Sequence, residues 1–259
     1  MRIVINFFLK LYLLPLTFSH KVKGYVRDMF FVDEGQHLRQ VVKIITKEKL
    51  KNEGIIIDIG AANGGVSAFF AKNFPGNSVY GFEPNPSFGA MLSIAGNYPE
   101  NVQFRNVALS NKEGEMPFYI TRNLLSSSLK KINKQALHTD KDNNSALLEV
   151  EKEVLVKVST LDNEFVDLKG SVLLMKIDVQ GAELDVLKGG VKLLEKTKYI
   201  ITEMQMHKFY DNASPYYSVD EFLRENGFKL IDIIANVRRQ GIWLEEFDAI
   251  YRNSNFNSV

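Results

Sequence analysis

The amino-acid sequence predicts a doubly wound α/β domain, and three observations carry that prediction. From Gly54 onward, short β-branched runs alternate with amphipathic stretches, the signature of parallel strands joined by crossover helices. Four of the runs end in a carboxylate, at Asp58, Glu83, Asp178 and Glu203. The carboxyl edge of an open α/β sheet is where ligands bind. A glycine-rich loop, Gly60-Ala61-Ala62-Asn63-Gly64-Gly65, follows the first run directly, as expected where backbone must approach a ligand closely.

The elements follow in order along the chain. Ile55–Ile57 reads as a buried strand ending at Asp58, Val66–Asn73 as the first helix, and Ser78–Phe82 as a second strand ending at Glu83. Pro86 suits the first turn of the next helix, where a missing N–H costs nothing. Val102–Asn106 is a third strand, Asn111–Gly114 a turn, and Met116–Ile120 a short apolar run. From Thr121 to about Glu153 serine, asparagine and lysine displace apolar residues, which predicts a mobile insertion over the core.

Order resumes with Val154–Val158, a short helix at Leu161–Phe165 and the apolar strand Val172–Ile177 ending at Asp178. Leu184, Val186, Leu187, Val191 and Leu194 recur near helical spacing, predicting a helix over Glu183–Leu194 despite Gly189 and Gly190. Tyr199–Thr202 is a fifth strand ending at Glu203. Ser218 with Glu221 three residues on is a capping-box pattern, opening a helix that stops at Gly227. Leu230–Ile234 and Ala249–Tyr251 would close the sheet as a hairpin.

Length and composition bound the function. With 259 residues the chain suffices for one large domain, taken as residues 51–259, preceded by a short helical segment, residues 1–50. Its 32 basic and 31 acidic residues nearly cancel, so no global field draws it onto nucleic acid, and no nucleic-acid partner is expected. The absence of cysteine removes disulfides, thiolate metal sites and cysteine nucleophiles. The opening run MRIVINFFLKLYLLPLTF is apolar, but Lys10 and Pro15 interrupt it and it falls short of the roughly 20 residues a spanning helix needs. It reads first as a helix packed on the domain or across a homodimer, next as an interfacial helix making peripheral membrane contact, and last as a cleaved leader. The expected location is cytoplasmic, with membrane association under the second reading.

The glycine loop alone fits a dinucleotide site as well as any other nucleoside site. A pyrophosphate wants positive potential at a helix N-terminus, whereas S-adenosylmethionine carries a sulfonium, an ammonium and no phosphate. A carboxylate at Asp58, two residues before the glycine, suits that cation better. Glu83, at the end of the second strand, is placed to accept ribose hydroxyls of either ligand.

The strings IDIGAANGG, GFEPNP, NVALSNKEGEMPFY, STLD and LLMKIDVQGAELDVLKGG, in this order over about Ile55 to Glu203, resemble the motif set of FkbM-type methyltransferases. The resemblance implies a Rossmann-like class I methyltransferase fold, with a seven-stranded, mostly parallel sheet and helices on both faces. It further implies S-adenosyl-L-methionine as methyl donor and a hydroxyl acceptor on a small molecule or glycan. Carried over by position, Gly60, Asn63 and Gly64 would line the methionine end, Glu83 would hold the ribose, and Asn106, Val107 and Ala108 would flank the adenine. Asp58, Ala61, Pro84 and Asp178 complete the candidate cofactor contacts. The chain departs from the family pattern at Gln180, where the segment KIDVEGAE usually carries glutamate.

Methyl transfer to a hydroxyl needs alignment and removal of the acceptor proton. Asp178 is the first candidate base, and His207 the second, with Glu203 orienting it. Ser127, Ser128 and Glu183 are candidates for holding the acceptor. A divalent metal, if one takes part, would draw on the oxygens of Asp178 and Glu203. Two rival readings stay open: a nicotinamide-dependent sugar oxidoreductase, against which Asp58 and the Asp178–Leu187 motif count, and a non-catalytic cofactor-binding scaffold. The sequence has no N/D-P-P-Y/F motif of the kind used to methylate exocyclic amines.

Overall fold

The structure is a computed structural model that describes residues 38–48, 54–133, 145–239 and 242–256. The apolar run at residues 1–18 lies outside the described residues. The main sheet has seven strands in the order β3-β2-β1-β7-β8-β10-β9. These are β1 (Ile55–Ile59), β2 (Val79–Phe82), β3 (Val102–Arg105), β7 (Val172–Ile177), β8 (Thr197–Gln205), β9 (Phe228–Arg239) and β10 (Trp243–Asn253). Pairing is parallel from β3 through β8, and β10 enters antiparallel to both β8 and β9. The doubly wound prediction holds, and the final hairpin forms with arms longer than the two apolar runs.

Helices cover both faces. On one face α1 (Arg39–Lys47) and α2 (Gly65–Asn73) pack Val41, Ile45, Phe70 and Phe74 against Ile56, Leu174, Tyr199 and Ile250. On the other, α4 (Leu161–Glu164), α5 (Glu183–Lys188), α6 (Val191–Glu195) and α7 (Tyr216–Glu225) pack on Ile57, Met175, Ile177, Ile200 and Ala249. The alternation follows from the period of two in a strand buried on both faces, which is why β7 reads as an unbroken apolar run save for Lys176. Between β2 and β3 lies α3 (Pro86–Leu92), with Pro86 in its first turn and Asn85 capping it by accepting the Ser87 N–H at 3.0 Å.

Three local expectations are corrected. The stretch from Thr121 to Glu153 is not wholly an insertion: β5 (Gly114–Thr121) and β6 (Val150–Ser159) pair antiparallel and, with β4 (Ala108–Leu109), form a second sheet. One face of this sheet carries Phe118, Ile120, Val156 and Val158, while Glu151 and Glu153 point to water, so charge along the strand disguised it. Residues 134–144 of that stretch are outside the described residues. The Glu183–Leu194 helix is two helices, because a Cβ at Gly189 would stand 2.0 Å from the Ser110 carbonyl oxygen and the chain bends around that contact. Finally, α7 starts at Tyr216 after Pro215, so Ser218 sits inside it and caps nothing.

Candidate active site

The strand order reverses between β1 and β7, and in an open α/β sheet the crevice above such a switch point binds ligands. A cleft of about 280 Å³ opens there, near the lower end of the roughly 300–1,000 Å³ usual for small-molecule sites. Its floor comes from Gly60–Asn63 after β1, Glu83 and Pro84 after β2, Val107–Leu109, and Asp178–Gln180 after β7. Leu124, Leu125, Ser127 and Leu129, from the turn that follows β5, close one side.

Gly60 makes this convergence sterically feasible. Its φ is +83°, and a Cβ there would lie 1.8 Å from the Asp178 carbonyl oxygen, so only glycine lets the tips of β1 and β7 touch. The next residues turn back over β2, where the Gly60 and Ala61 N–H groups both donate to Phe82 O at 3.0 Å.

Glu83 anchors the side of the cleft that follows β2. It is 6% exposed, and its two carboxylate oxygens accept the Ala62 and Asn85 N–H groups, each at 2.7 Å. Burial pushes its carboxyl up to about 7 against the pull of those two N–H groups. Each oxygen keeps a second lone pair for a hydroxyl donor. Asn106 donates to the Glu83 carbonyl at 2.8 Å, holding this turn from outside the cleft.

On the opposite side Asp178 is bracketed by two donors: Lys176 Nζ at 3.1 Å from Oδ2 and Gln180 Nε2 at 2.9 Å from Oδ1. Burial alone would lower the Lys176 ammonium, but Asp178, Asp58 and Asp248 more than reverse this and hold it charged. Gln180 Nε2 also lies 3.3 Å from Glu203 Oε2, and the Tyr210 hydroxyl donates to Gln180 Oε1 at 2.7 Å.

Of the candidates from sequence, Gly60, Ala61, Asn63, Glu83, Pro84, Val107, Ala108, Asp178 and Ser127 line the cleft. Seven other candidates do not line it. Asp58 is fully buried beneath the loop, donor-paired to Ser67 Oγ at 2.6 Å with Lys176 Nζ at 4.0 Å. Burial raises its carboxyl despite Lys176. Gly64 meets the rings of Tyr98 and Phe104 rather than the cleft, and Asn106 faces the outer side of α3. Glu183 turns back to accept the Val179 and Gly181 N–H groups at 3.2 and 3.0 Å.

Ser128 Oγ lies 2.8 Å from the Gln180 carbonyl oxygen, to which it donates. The partly exposed Glu203 carboxylate accepts the amides of Gln180 and Gln205 and does not line the cleft. Burial, then Asp178 and Glu246, lift its carboxyl well above the usual range. His207 is exposed, its ring edge-on to Phe209, and it does not line the cleft. Among the described residues no three of His, Cys, Asp or Glu are arranged to hold a metal ion.

Lys176, Gln180 as a bridge, and Tyr210 were not picked out from sequence. Lys176 had a signal: it lies two residues before Asp178, hence on the same face, and pairs in register with Asp58. Tyr210 had none, since its approach to Gln180 depends on the path of the chain after β8.

The donor set fits a cationic nucleoside. Its carboxylates, Glu83 and Asp178, suit hydroxyl and ammonium groups, and Phe82, Phe88, Val107 and Leu109 offer an apolar wall for a base. Lys176, the only cation among the described lining residues, is committed to Asp178 and Asp58 and is no free side-chain cation for a diphosphate. The family model described as the methyltransferase FkbM domain matches residues 58–230. The chain belongs to the FkbM methyltransferase family.

As a member of that family it is an S-adenosylmethionine-dependent methyltransferase, which decides against the nicotinamide reading. A 2-O-methyltransferase, NoeI, from Sinorhizobium fredii (strain NBRC 101917 / NGR234), is 27% identical over 196 residues, covering 71% of this chain and 75% of the relative. Among solved structures, magnesium protoporphyrin IX methyltransferase (ChlM) from Synechocystis PCC 6803 with bound SAM aligns at 11% identity and a TM-score of 0.45, covering 85% of this chain and 80% of that one. Its form with bound SAH aligns at 10% identity and a TM-score of 0.47, covering 97% of this chain and 94% of that one.

Proposed function

We propose that this FkbM-family chain methylates a hydroxyl oxygen of a small molecule or glycan, a sugar or polysaccharide precursor above all. The observation that carries the reading is the Asp178 carboxylate at the cleft, held from both sides by Lys176 and Gln180. When bound, S-adenosylmethionine supplies an electrophilic methyl group whose leaving group needs no help from acid. What remains for the protein is alignment and a proton acceptor for the attacking hydroxyl. Glu83 takes ribose hydroxyls, the Gly60–Asn63 loop meets the amino-acid end, and Asp178 receives the acceptor's proton. Lys176 stabilises Asp178 as an anion before transfer, and the leucines at 124, 125 and 129 shield the reacting atoms from water.

Support for oxygen as the methylated atom comes from the named activity of the NoeI relative and from a carboxylate, not an exposed histidine, at the cleft. The test is transfer of labelled methyl from S-adenosylmethionine to a panel of oligosaccharides, sugar nucleotides, amines and carboxylic acids, with products identified by mass and linkage analysis. Methyl ethers on sugar hydroxyls are expected. Label appearing only on amines or carboxylates would overturn the reading.

A further inference from the structure

The turn after β7 is held far harder than a surface turn requires. Gln180 adopts φ of 56°, a left-handed conformation strained for a residue with a Cβ, and Gly181 follows at 93°. Three separate segments fasten it. Glu183 of α5 accepts two of its N–H groups. Ser128, from beyond β5, donates to its carbonyl at 2.8 Å. Tyr210, 3% exposed, shares its one hydroxyl hydrogen between the Gln180 side-chain oxygen at 2.7 Å and the Ser126 carbonyl oxygen at 3.0 Å, the nearer being Gln180.

What all this fixes is one amide group. A glutamine side chain has one acceptor oxygen and two N–H donors. Here the oxygen takes the Tyr210 hydroxyl, which leaves both N–H groups to the carboxylates: Asp178 at 2.9 Å, and Glu203 at 3.3 and 3.4 Å. A glutamate in this position would put a third acceptor between two acceptors, and the three acids would need a shared proton to stay together.

We propose that Gln180 is a positioning residue, whose amide, oriented by Tyr210, fixes the Asp178 carboxylate in the cleft and insulates it from Glu203. This deepens the proposed reaction and rests on Asp178 as the proton acceptor. The charged groups around the pair are Lys176 beside Asp178, Asp58 across Lys176, Glu203 on β8, Glu246 and Asp248 on β10, and Glu183 on α5. Only Lys176 among these described groups is positive, and the Gln180 amide reaches both Asp178 and Glu203 as a neutral donor, bringing no proton to share.

The test reads Asp178 directly, in the full chain. Aspartate is labelled with carbon-13 at the carboxyl, the Asp178 resonance is assigned by its loss in Asp178→Asn, and its titration is followed in wild type, Gln180→Met, Gln180→Glu and Tyr210→Phe. Loss of the donor in Gln180→Met should raise the Asp178 midpoint by about 1 pH unit. Gln180→Glu should raise it further and split the curve into two linked steps. Tyr210→Phe should move it the same way by less. Thermal melts verify that each variant is folded, and Tyr210→Phe decides the matter if Gln180→Met does not fold. A midpoint unmoved in folded Gln180→Met and Tyr210→Phe overturns the proposal. A midpoint that moves as expected, with methyl transfer undiminished in Asp178→Asn, upholds the positioning and sinks the proton-acceptor reading instead.

Discussion

Replacing Glu83 by glutamine changes one atom in the cleft and should separate binding from folding. Both carboxylate oxygens accept a backbone N–H at 2.7 Å. In Glu83→Gln one of the two N–H groups would face an NH₂, a donor-to-donor contact worth about 1–3 kcal/mol of stability, partly offset because a buried charge disappears. Affinity should suffer more than stability. Charge-assisted hydrogen bonds exceed neutral ones by about 1–1.5 kcal/mol each, so two ribose hydroxyls lose about 2–3 kcal/mol, roughly 30- to 150-fold in Kd. The pH dependence is a second signature. Burial raises the Glu83 carboxyl from 4.5 to about 7 in the free protein, and hydroxyl donors prefer the ionised form. Affinity in wild type should therefore fall as pH drops through about 7, approaching about tenfold per pH unit below it, and Glu83→Gln should abolish that slope. Calorimetry with S-adenosylhomocysteine across this range, beside urea denaturation of the ligand-free proteins, measures both. A variant within about threefold of wild type in affinity, with the same pH slope, would remove Glu83 from the nucleoside site.

Asp178→Asn should lower turnover by about 10²–10⁴-fold, while His207→Ala leaves it near wild type, since His207 stands exposed outside the cleft; steady-state kinetics with the acceptor identified by methyl labelling gives the comparison, and the opposite ranking would move the chemistry to the loop after β8. Gly60→Ala should cost about 3 kcal/mol or more, because its Cβ would meet the Asp178 carbonyl oxygen at 1.8 Å. Gly96→Ala, at the same φ of +83° but with nothing within 4 Å, should cost only the backbone strain. Equal losses in urea denaturation would show that the β1–β7 contact is not tight. Ligand-free stability should be higher near pH 5 than near pH 8. Burial raises Glu83, Glu183 and Glu246 to about 7 and Asp248 to about 6. The folded state then binds protons more tightly than the unfolded chain, and stability falls as pH rises from the ordinary carboxylate range to about 7. A higher urea midpoint near pH 8 would contradict this.

Much of the sheet was legible because its central strands are buried on both faces, so Ile55–Ile57 and Val172–Ile177 announce themselves as continuous β-branched or apolar runs. The edge where the cleft opens was legible too, since Asp58, Glu83, Asp178 and Glu203 each close such a run. Which of those carboxylates face the cleft was not legible. Asp58 lies on the same side of β1 as Ile56 and beside Lys176, so the glycine loop folds over it and buries it as the counter-charge of that lysine. Glu183 looked available for an acceptor, but it opens a helix directly after the turn, and the nearest donors are that turn's own N–H groups.

The acids of the last strand were hidden for a further reason, which bears on how the site works. Glu246 and Asp248 look like ordinary alternation on a solvent-facing arm until β10 is inserted antiparallel beside β8. The register then sets Asp248 against Glu203 and Glu246 against Gln205, so two strands far apart in the chain build one acidic row next to Asp178. Burial raises each of them, and like charges so placed raise one another further. Left to itself, such a row would draw protons onto Asp178 as readily as onto its neighbours. The sheet places Lys176 on one side of Asp178 and the turn places Gln180 on the other, so that Asp178, unlike the row of Glu203, Glu246 and Asp248 beside it, is donor-bracketed and open to the cleft. On the proposed mechanism, the proton acceptor is thereby selected by its neighbours rather than by its own residue type. That is why a scan for catalytic residue types reaches Asp178 but passes over the two side chains that make it usable.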